Sequence, residues 1–117
     1  MNDLLNARTW PLKQAKEILS KVDHYPSNKP IMLKMGYGPS GIPHMGTVME
    51  VIRSCMIAKV LRKLQDRPVI VIAFIDNMDG MRKVPQNIPN NEMLANYIGT
   101  PLCNVPDPFM TYESFAE

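Results

Sequence analysis

The segment Met35–Thr47, MGYGPSGIPHMGT, constrains the fold of this chain more than any other stretch. It contains four of the chain's 6 glycines and two of its 11 prolines. A β-prone run, Ile31–Met35, precedes the bend and an amphipathic helical pattern follows it. Glycine-rich bends between a strand and a helix N-terminus often bind phosphate in α/β proteins. The segment therefore predicts an α/β fold with an anion site at this bend.

Two helical patterns flank the segment. The first helix is expected to begin at Trp10-Pro11, with Thr9 as its N-cap, and to reach Val22. The second is expected from about Met45 to Leu64, where bases near its C-terminal end suit the helix dipole. Its broad apolar face comprises Val48, Val51, Ile52, Cys55, Ile57, Ala58 and Leu61.

Val69–Ile75, VIVIAFI, is the clearest strand in the sequence. Such a continuous apolar run predicts a parallel central strand that is buried on both faces. The β-α-β unit should cross over with a right-handed connection, so both strands end at the same sheet edge. This arrangement would place the polar turn Asp76–Gly80 beside the glycine segment, where such sheets bind ligands.

The C-terminal third is less regular. A short helix is expected over Glu92–Ile98, with Asn90 or Asn91 as its cap and Gly99 at its exit. Residues 100–117 have three prolines and little periodicity, which predicts irregular structure.

Composition excludes several classes of protein. The 117 residues suffice for one small domain, and a net charge of +2 does not by itself indicate nucleic-acid or membrane binding. The sequence has no run of about 18 apolar residues and no signal-peptide layout in its first ten residues. Cys55 and Cys103 lack metal-ligand spacing, so we expect no metal site, reduced thiols and a cytoplasmic location.

Two nucleotide-binding motifs compare poorly with the bend. Gly36-x-Gly38-x-x-Gly41 spells the dinucleotide fingerprint, but Pro39 and Pro43 should delay the helix until about His44. The acidic partner should lie about 20 residues on, whereas Asp76 follows Gly41 by 35 positions. A P-loop is excluded because no Lys-Ser or Lys-Thr follows a glycine.

A third interpretation centres on His44-Met45-Gly46-Thr47, which resembles the HIGH signature of class I aminoacyl-tRNA synthetases. Backbone N–H groups and the positive end of the helix dipole can bind a nucleotide at this turn. His44 can donate a hydrogen bond to the α-phosphate, and Gly46 lets an adenine ring approach. Thr47, in place of the second histidine, supplies a hydroxyl donor.

The wider sequence resembles one family, the class I lysyl-tRNA synthetases, from about Met35 to Phe115. The most specific pieces are GYGPSG-x-PH-x-GT, MDG-x-RKVP and PL-x-x-VPDPF. The resemblance implies part of a Rossmann-type catalytic domain that joins lysine to tRNA(Lys) through lysyl-adenylate, with ATP and Mg²⁺. It implies His44 and Thr47 as catalytic residues. The implied ATP-binding residues are Pro39, Ser40, Gly41, His44, Gly46 and Thr47.

The resemblance also suggests where the other substrates bind. The expected amino-acid pocket comprises Gly36, Tyr37, Asp76 and Asp79, of which the two aspartates can pair with an ammonium group. Arg82 and Lys83 are expected to meet phosphate or the tRNA acceptor end.

Some positions depart from the family pattern. Lys34-Met35-Gly36 stands where Glu-Thr-Gly is usual, and Asn77 stands for an aspartate. Met110 and Tyr112 occupy positions where glycine and histidine are typical. We expect the chain to be truncated, without a KMSKS-like loop and without an anticodon-binding domain.

We therefore expect residues 1–117 to form the N-terminal part of a class I catalytic domain, with little activity alone. A second polypeptide could complete the domain. The alternatives are a non-catalytic remnant that binds a nucleotide or partner, and a small dinucleotide-binding module.

Overall fold

A computed structural model of the chain describes residues 6–117. The first five residues, part of the stretch without a signal-peptide layout, lie outside the described residues. The chain divides into two compact units. The first contains the described residues up to Met35 together with Val48–Ala73. The second contains Gly36–Thr47 and Phe74–Glu117.

Two long helices form as the sequence predicts. Helix α1 spans Trp10–Val22, with Pro11 in its first turn. Thr9 occupies the N-cap position, although only its carbonyl, not its side chain, accepts a helix N–H bond. Helix α2 spans Met45–Leu64 and is about 30 Å long at ~1.5 Å per residue. None of the helices within residues 6–117 combines the length and apolar character needed to cross a membrane.

The strands are parallel. Strand β1 spans Ile31–Tyr37, two residues longer than predicted, and β2 spans Val69–Ile75. At their starts the N–H of Ile31 donates to the carbonyl of Pro68 at 2.8 Å. At their ends the N–H of Asp76 donates to the carbonyl of Tyr37 at 3.0 Å. The residue numbers increase together along both strands, so the order β1-α2-β2 is a β-α-β unit.

The core of the first unit forms between one sheet face and the two long helices. Its buried residues are Ala15, Ile31, Ala58, Leu61 and Val69. Arg67 closes the loop after α1, because its guanidinium donates to the carbonyls of Val22 at 3.1 Å and Tyr25 at 3.3 Å. Local patterns thus predicted the helices that cover this face.

The prediction that β2 is buried on both faces is wrong. Ile70 is 44% exposed and Phe74 is 60% exposed, whereas Val69 is buried. Within residues 6–117 the sheet has only these two strands, so one face packs against the core and the other remains uncovered. The broad apolar face predicted for α2 is likewise only partly buried. Its first half, including Val48 and Ile52, is exposed.

The second unit has short helical segments around its own core. Helix α3, Asn91–Leu94, continues as a 3-10 helix, Ala95–Tyr97, so the predicted helix is shorter and tighter than expected. Gly99 follows with a φ of 85°, which confirms its predicted role at the exit. Residues 100–117 are irregular apart from a 3-10 helix, Leu102–Asn104. The buried apolar residues of the unit are Met81, Ile88, Leu94, Leu102 and Val105.

Candidate functional site

The second unit brings together three segments that are far apart in sequence: Gly36–Thr47, residues 78–85 and residues 101–109. The N–H of Leu102 donates to the carbonyl of Asp79 at 3.0 Å, and the N–H of Cys103 donates to the carbonyl of Asn77 at 2.9 Å. These bonds hold the turn after β2 against the third segment. The motifs that carry the resemblance therefore belong to one structural unit.

His44 lies immediately before α2 and caps it. Its Nδ1 accepts a hydrogen bond from the N–H of Gly46 at 3.1 Å, which satisfies one of the free donors of the first turn. A neutral imidazole with Nδ1 as acceptor carries its proton on Nε2. The cap therefore leaves an N–H donor on the opposite side of the ring. Helix α2 begins at Met45, which confirms the prediction that Pro39 and Pro43 delay the helix start. In a dinucleotide fingerprint the helix begins within the glycines instead.

Gly46 lies against the imidazole of His44, a contact that the sequence did not indicate. A Cβ on Gly46 would lie 2.8 Å from Cε1 and 3.0 Å from Nδ1 of His44. The imidazole ring thus occupies the space that a side chain would need. The glycine allows the histidine to fold back over the helix start.

A cavity of about 400 Å³, here called the polar cavity, lies beside the first turn of α2. Its lining residues are Tyr37, Gly38, Ser40–His44, Thr47 and Lys83–Asn87. The predicted residues His44, Thr47 and Lys83 thus lie around one cavity. No aspartate or glutamate is among the lining residues. A cavity with lysine, histidine and hydroxyl donors and no carboxylate is suited to an anion.

Arg82 and Asp79, which the sequence placed in different roles, bind each other. One guanidinium nitrogen of Arg82 lies 3.1 Å from Oδ1 and 3.2 Å from Oδ2 of Asp79. Oδ2 of Asp79 would also lie 2.9 Å from a Cβ on Gly38, so the carboxylate sits against the glycine bend. Asp79 is therefore engaged by a cation of its own chain. Arg82 therefore pairs with Asp79, whereas Lys83 lines the polar cavity.

The remaining predicted site residues are dispersed. Asp76 is exposed and does not line the polar cavity. Pro39 is not among the lining residues of the polar cavity. A Cβ on Gly36 would lie 3.0 Å from the carbonyl oxygen of Phe74, so this glycine permits close approach of the strands. Tyr37 lines the polar cavity.

The aromatic cavity, of about 430 Å³, was not predicted. Its lining residues are Tyr37, Pro39, Gly41–Pro43, Ile75, Asp107, Phe109, Thr111, Tyr112 and Ser114–Glu117. Asp107 shapes one wall: Oδ1 accepts the N–H of Phe109 at 3.0 Å, and Oδ2 accepts those of Thr111 at 2.9 Å and Tyr112 at 3.0 Å. An aspartate before a proline is a known turn signal. Asp107-Pro108 could therefore have predicted the turn that forms this wall.

Met110 at the tip of this turn has a φ of 58° and is 85% exposed. This left-handed conformation favours glycine. The family resemblance leads one to expect glycine at this position. The structure thus supplies a backbone reason for the glycine that this chain lacks.

Asp107 makes the stability of the second unit depend on pH. Burial by itself raises the pKa of Asp107. Hydrogen bonds from the N–H groups of Phe109, Tyr112 and Thr111 lower this pKa by more than burial raises it, so the net shift is downward. A lowered pKa means that the carboxylate stabilises the fold above the unfolded-state pKa of about 3.9. This stabilisation is lost as the pH falls through the lower pKa of the folded state.

We therefore expect Asp107→Asn to destabilise the chain at pH 7, because an amide cannot accept all three N–H bonds. The difference from the wild type should shrink as the pH falls below about 3.9. Urea unfolding between pH 2 and pH 7 measures it, with the exposed Asp66→Asn as the matched control. A difference that is constant over this pH range contradicts the assignment.

Comparison with known proteins agrees with the resemblance. A family model described as tRNA synthetases class I (K) matches residues 8–117. The lysine–tRNA ligase of Roseobacter denitrificans is 41% identical over 112 residues, which cover 95% of this chain and 21% of that protein. The lysine–tRNA ligase of Rickettsia typhi is 44% identical over 114 residues, covering 97% of this chain and 22% of that protein.

The lysine–tRNA ligase of Rickettsia prowazekii is similar to a comparable degree, 43% identical over 116 residues, with 98% of this chain and 22% of that protein covered. The chain thus spans about a fifth of the length of these relatives. Because the family model matches nearly its whole length, the chain belongs to the class I (K) family of tRNA synthetases.

Proposed function

We propose that this chain supplies the N-terminal part of a Rossmann-type catalytic domain in a lysine–tRNA ligase, and that its polar cavity binds the phosphates of ATP. The names of its relatives support the reaction class. The single observation that carries the proposal is the arrangement of His44. Its Nδ1 is occupied by the N–H of Gly46, which directs the free Nε2–H away from the helix cap.

Adenylate formation places negative charge on the α-phosphate as the lysine carboxylate attacks it and diphosphate leaves. A donor fixed before the reaction stabilises this charge without reorganisation. The Nε2–H of His44 is proposed as that donor, with the hydroxyl of Thr47 as a second one. The ammonium of Lys83 is proposed to neutralise the other phosphates.

ATP reacts as its Mg²⁺ complex in this class of chemistry. Within residues 6–117, no group of three or more His, Cys, Asp and Glu side chains could hold a metal ion. The polar cavity also has no carboxylate in its lining. These residues do not fit a protein-held Mg²⁺ site, so the ion is assigned no ligand from this part of the chain.

The lysine pocket is proposed beside Gly36 and Tyr37. Asp76 is the better candidate for the lysine ammonium, because Asp79 is already bound to Arg82. The side chain of Arg82 is 82% exposed and is proposed to meet tRNA(Lys). A working ligase also needs the part of the relatives that this chain does not span. A second polypeptide is one proposed source of that part.

Inorganic tripolyphosphate tests the anion site directly, by isothermal titration and by the amide shifts of Gly46 and Thr47. We expect Lys83→Ala to weaken binding about 10-fold, since a charge-assisted hydrogen bond contributes about 1.5 kcal/mol or more. Lys29→Ala, an exposed lysine of the first unit, removes the same charge and should leave the affinity nearly unchanged. Equal weakening by both variants would show a diffuse charge effect and reject the site.

A further inference from the structure

Charge is distributed unevenly between the two compact units. The first unit carries eleven lysines and arginines against five aspartates and glutamates, which gives it a formal net charge of +6. The second unit carries two against six, a formal net charge of −4. The small net charge of +2 for the whole chain is therefore the sum of a strongly basic unit and an acidic one. Such an asymmetry is typical of proteins that bind polyanions.

The surface of the first unit has a groove of about 450 Å³, here called the basic groove. Its lining residues are Ala7, Arg8, Thr9, Trp10, Leu12, Lys13 and Lys16. Three of these seven residues carry a positive charge and none carries a negative one. Arg8, Lys13 and Lys16 are all exposed, so their charges face solvent. A cluster of cations without an acid is suited to phosphate groups.

The acid of α1 does not neutralise this groove. Glu17 is the one acid within Trp10–Val22, and its Oε1 pairs with the ammonium of Lys21 at 3.1 Å. Its Oε2 accepts a hydrogen bond from the side-chain amide of Gln14 at 3.4 Å. Among residues 6–117, neither Arg8 nor Lys13 has a carboxylate partner. Both side chains can therefore bind an external anion.

A fourth cation and an aromatic ring border the groove. The guanidinium carbon of Arg53, from α2, lies 5.5 Å from the centre of the Trp10 ring, which is a cation–π distance. This contact holds an arginine of the second helix beside the groove. Trp10 is 42% exposed, so part of the indole remains accessible. Arginine and aromatic side chains occur together in surfaces that bind the phosphates and bases of RNA.

We propose that the basic groove binds the sugar-phosphate backbone of RNA through Arg8 and Lys13, with Lys16 and Arg53 adding to the positive potential. The inference rests on the proposed function in one respect, because the RNA is taken to be the tRNA that lysine attachment requires. The groove shares no residue with the polar cavity. RNA is favoured over a membrane because Trp10 is the only exposed large apolar residue in the lining, whereas surfaces that bind lipid present a whole apolar face.

An unmodified tRNA(Lys) transcript is the probe, and it is titrated into the full chain. Trp10 is the only tryptophan of the chain, so tryptophan fluorescence reports on the groove. We expect this fluorescence to change as RNA binds and to saturate in the micromolar range at about 50 mM salt. Arg8→Ala combined with Lys13→Ala should weaken binding at least about 10-fold. It should also lower the slope of log affinity against log salt by about 1–2, since two fewer phosphates are neutralised.

The matched control combines Lys29→Ala with Lys59→Ala. It removes two exposed lysines of the same unit that do not line the groove, so the affinity for RNA should be nearly unchanged. If both double variants lose affinity to the same extent, binding follows net charge alone and the groove is rejected.

Further outcomes separate this inference from the proposed function. Tripolyphosphate binding at Gly46 and Thr47 without RNA binding overturns the RNA surface and leaves the anion site intact. RNA binding that depends on Arg8 and Lys13, without tripolyphosphate binding, supports the groove and contradicts the anion site. Binding of phosphatidylglycerol vesicles or of polyglutamate, and not of RNA, assigns the groove to a membrane or to an acidic protein and overturns the proposal.

Discussion

Leu61→Ala is expected to lower the free energy of unfolding of the first unit by about 2–5 kcal/mol, because it empties a fully buried site. Leu61 is 0% exposed and packs with Ala15, Ile31 and Val69 in the core between the helices and the sheet. A loss of this size is a large share of the stability of a small domain. Thermal and urea unfolding, followed by circular dichroism, measure it.

Ile52→Ala is the matched control, because it shortens an aliphatic side chain on the same helix. Ile52 is 40% exposed, so the change should alter stability by only about 0.5 kcal/mol. Equal destabilisation by both variants would mean that the exposed half of α2 is covered in solution. The comparison therefore also tests whether the first half of α2 is exposed.

His44→Ala is expected to reduce lysine attachment to tRNA by about 100- to 1,000-fold, the usual effect of removing one fixed donor to a developing charge. The measurement uses the Rickettsia typhi ligase with the matching segment replaced by residues 8–117 of this chain, and tRNA present from the start. His24→Ala, an exposed histidine of the first unit, is the control and should charge normally.

Removing His44 also removes a helix cap, which by itself costs about 1 kcal/mol of stability. His44→Asn separates the two roles, since asparagine is a good N-cap but has no imidazole donor. We expect it to restore thermal stability without restoring charging. Charging by His44→Asn at the level of the unsubstituted chimera would show that His44 acts only as a cap.

The start of α2 shows how much of a site the local sequence can predict. The prolines and glycines of the bend located the helix start at His44, and the structure begins the helix at Met45. Gly46 also has a contact that residue spacing did not predict, because a Cβ at this position would lie 2.8 Å from Cε1 of the His44 ring. That ring position depends on a side-chain rotamer, which residue spacing does not specify.

The polar turn Asp76–Gly80 and the residues after it show what local sequence does not predict. Asp79 and Arg82 were predicted as parts of two different binding sites, and in the structure they bind each other. Similarly, Asp107 and the turn to Tyr112 form a cavity wall that no pattern in the bend anticipates. Such pairings depend on which donors and acceptors the fold brings within about 3 Å of one another.

The sequence alone determined the helices α1 and α2, the strand β2 and the exit at Gly99, because caps, proline positions and apolar periodicity act between near neighbours in the chain. Only the tertiary structure decided which apolar faces are covered. A continuous apolar run such as that of β2 indicates that the strand is able to be buried on both faces. Whether the second face is buried depends on packing between distant segments, and here Phe74 on that face remains exposed.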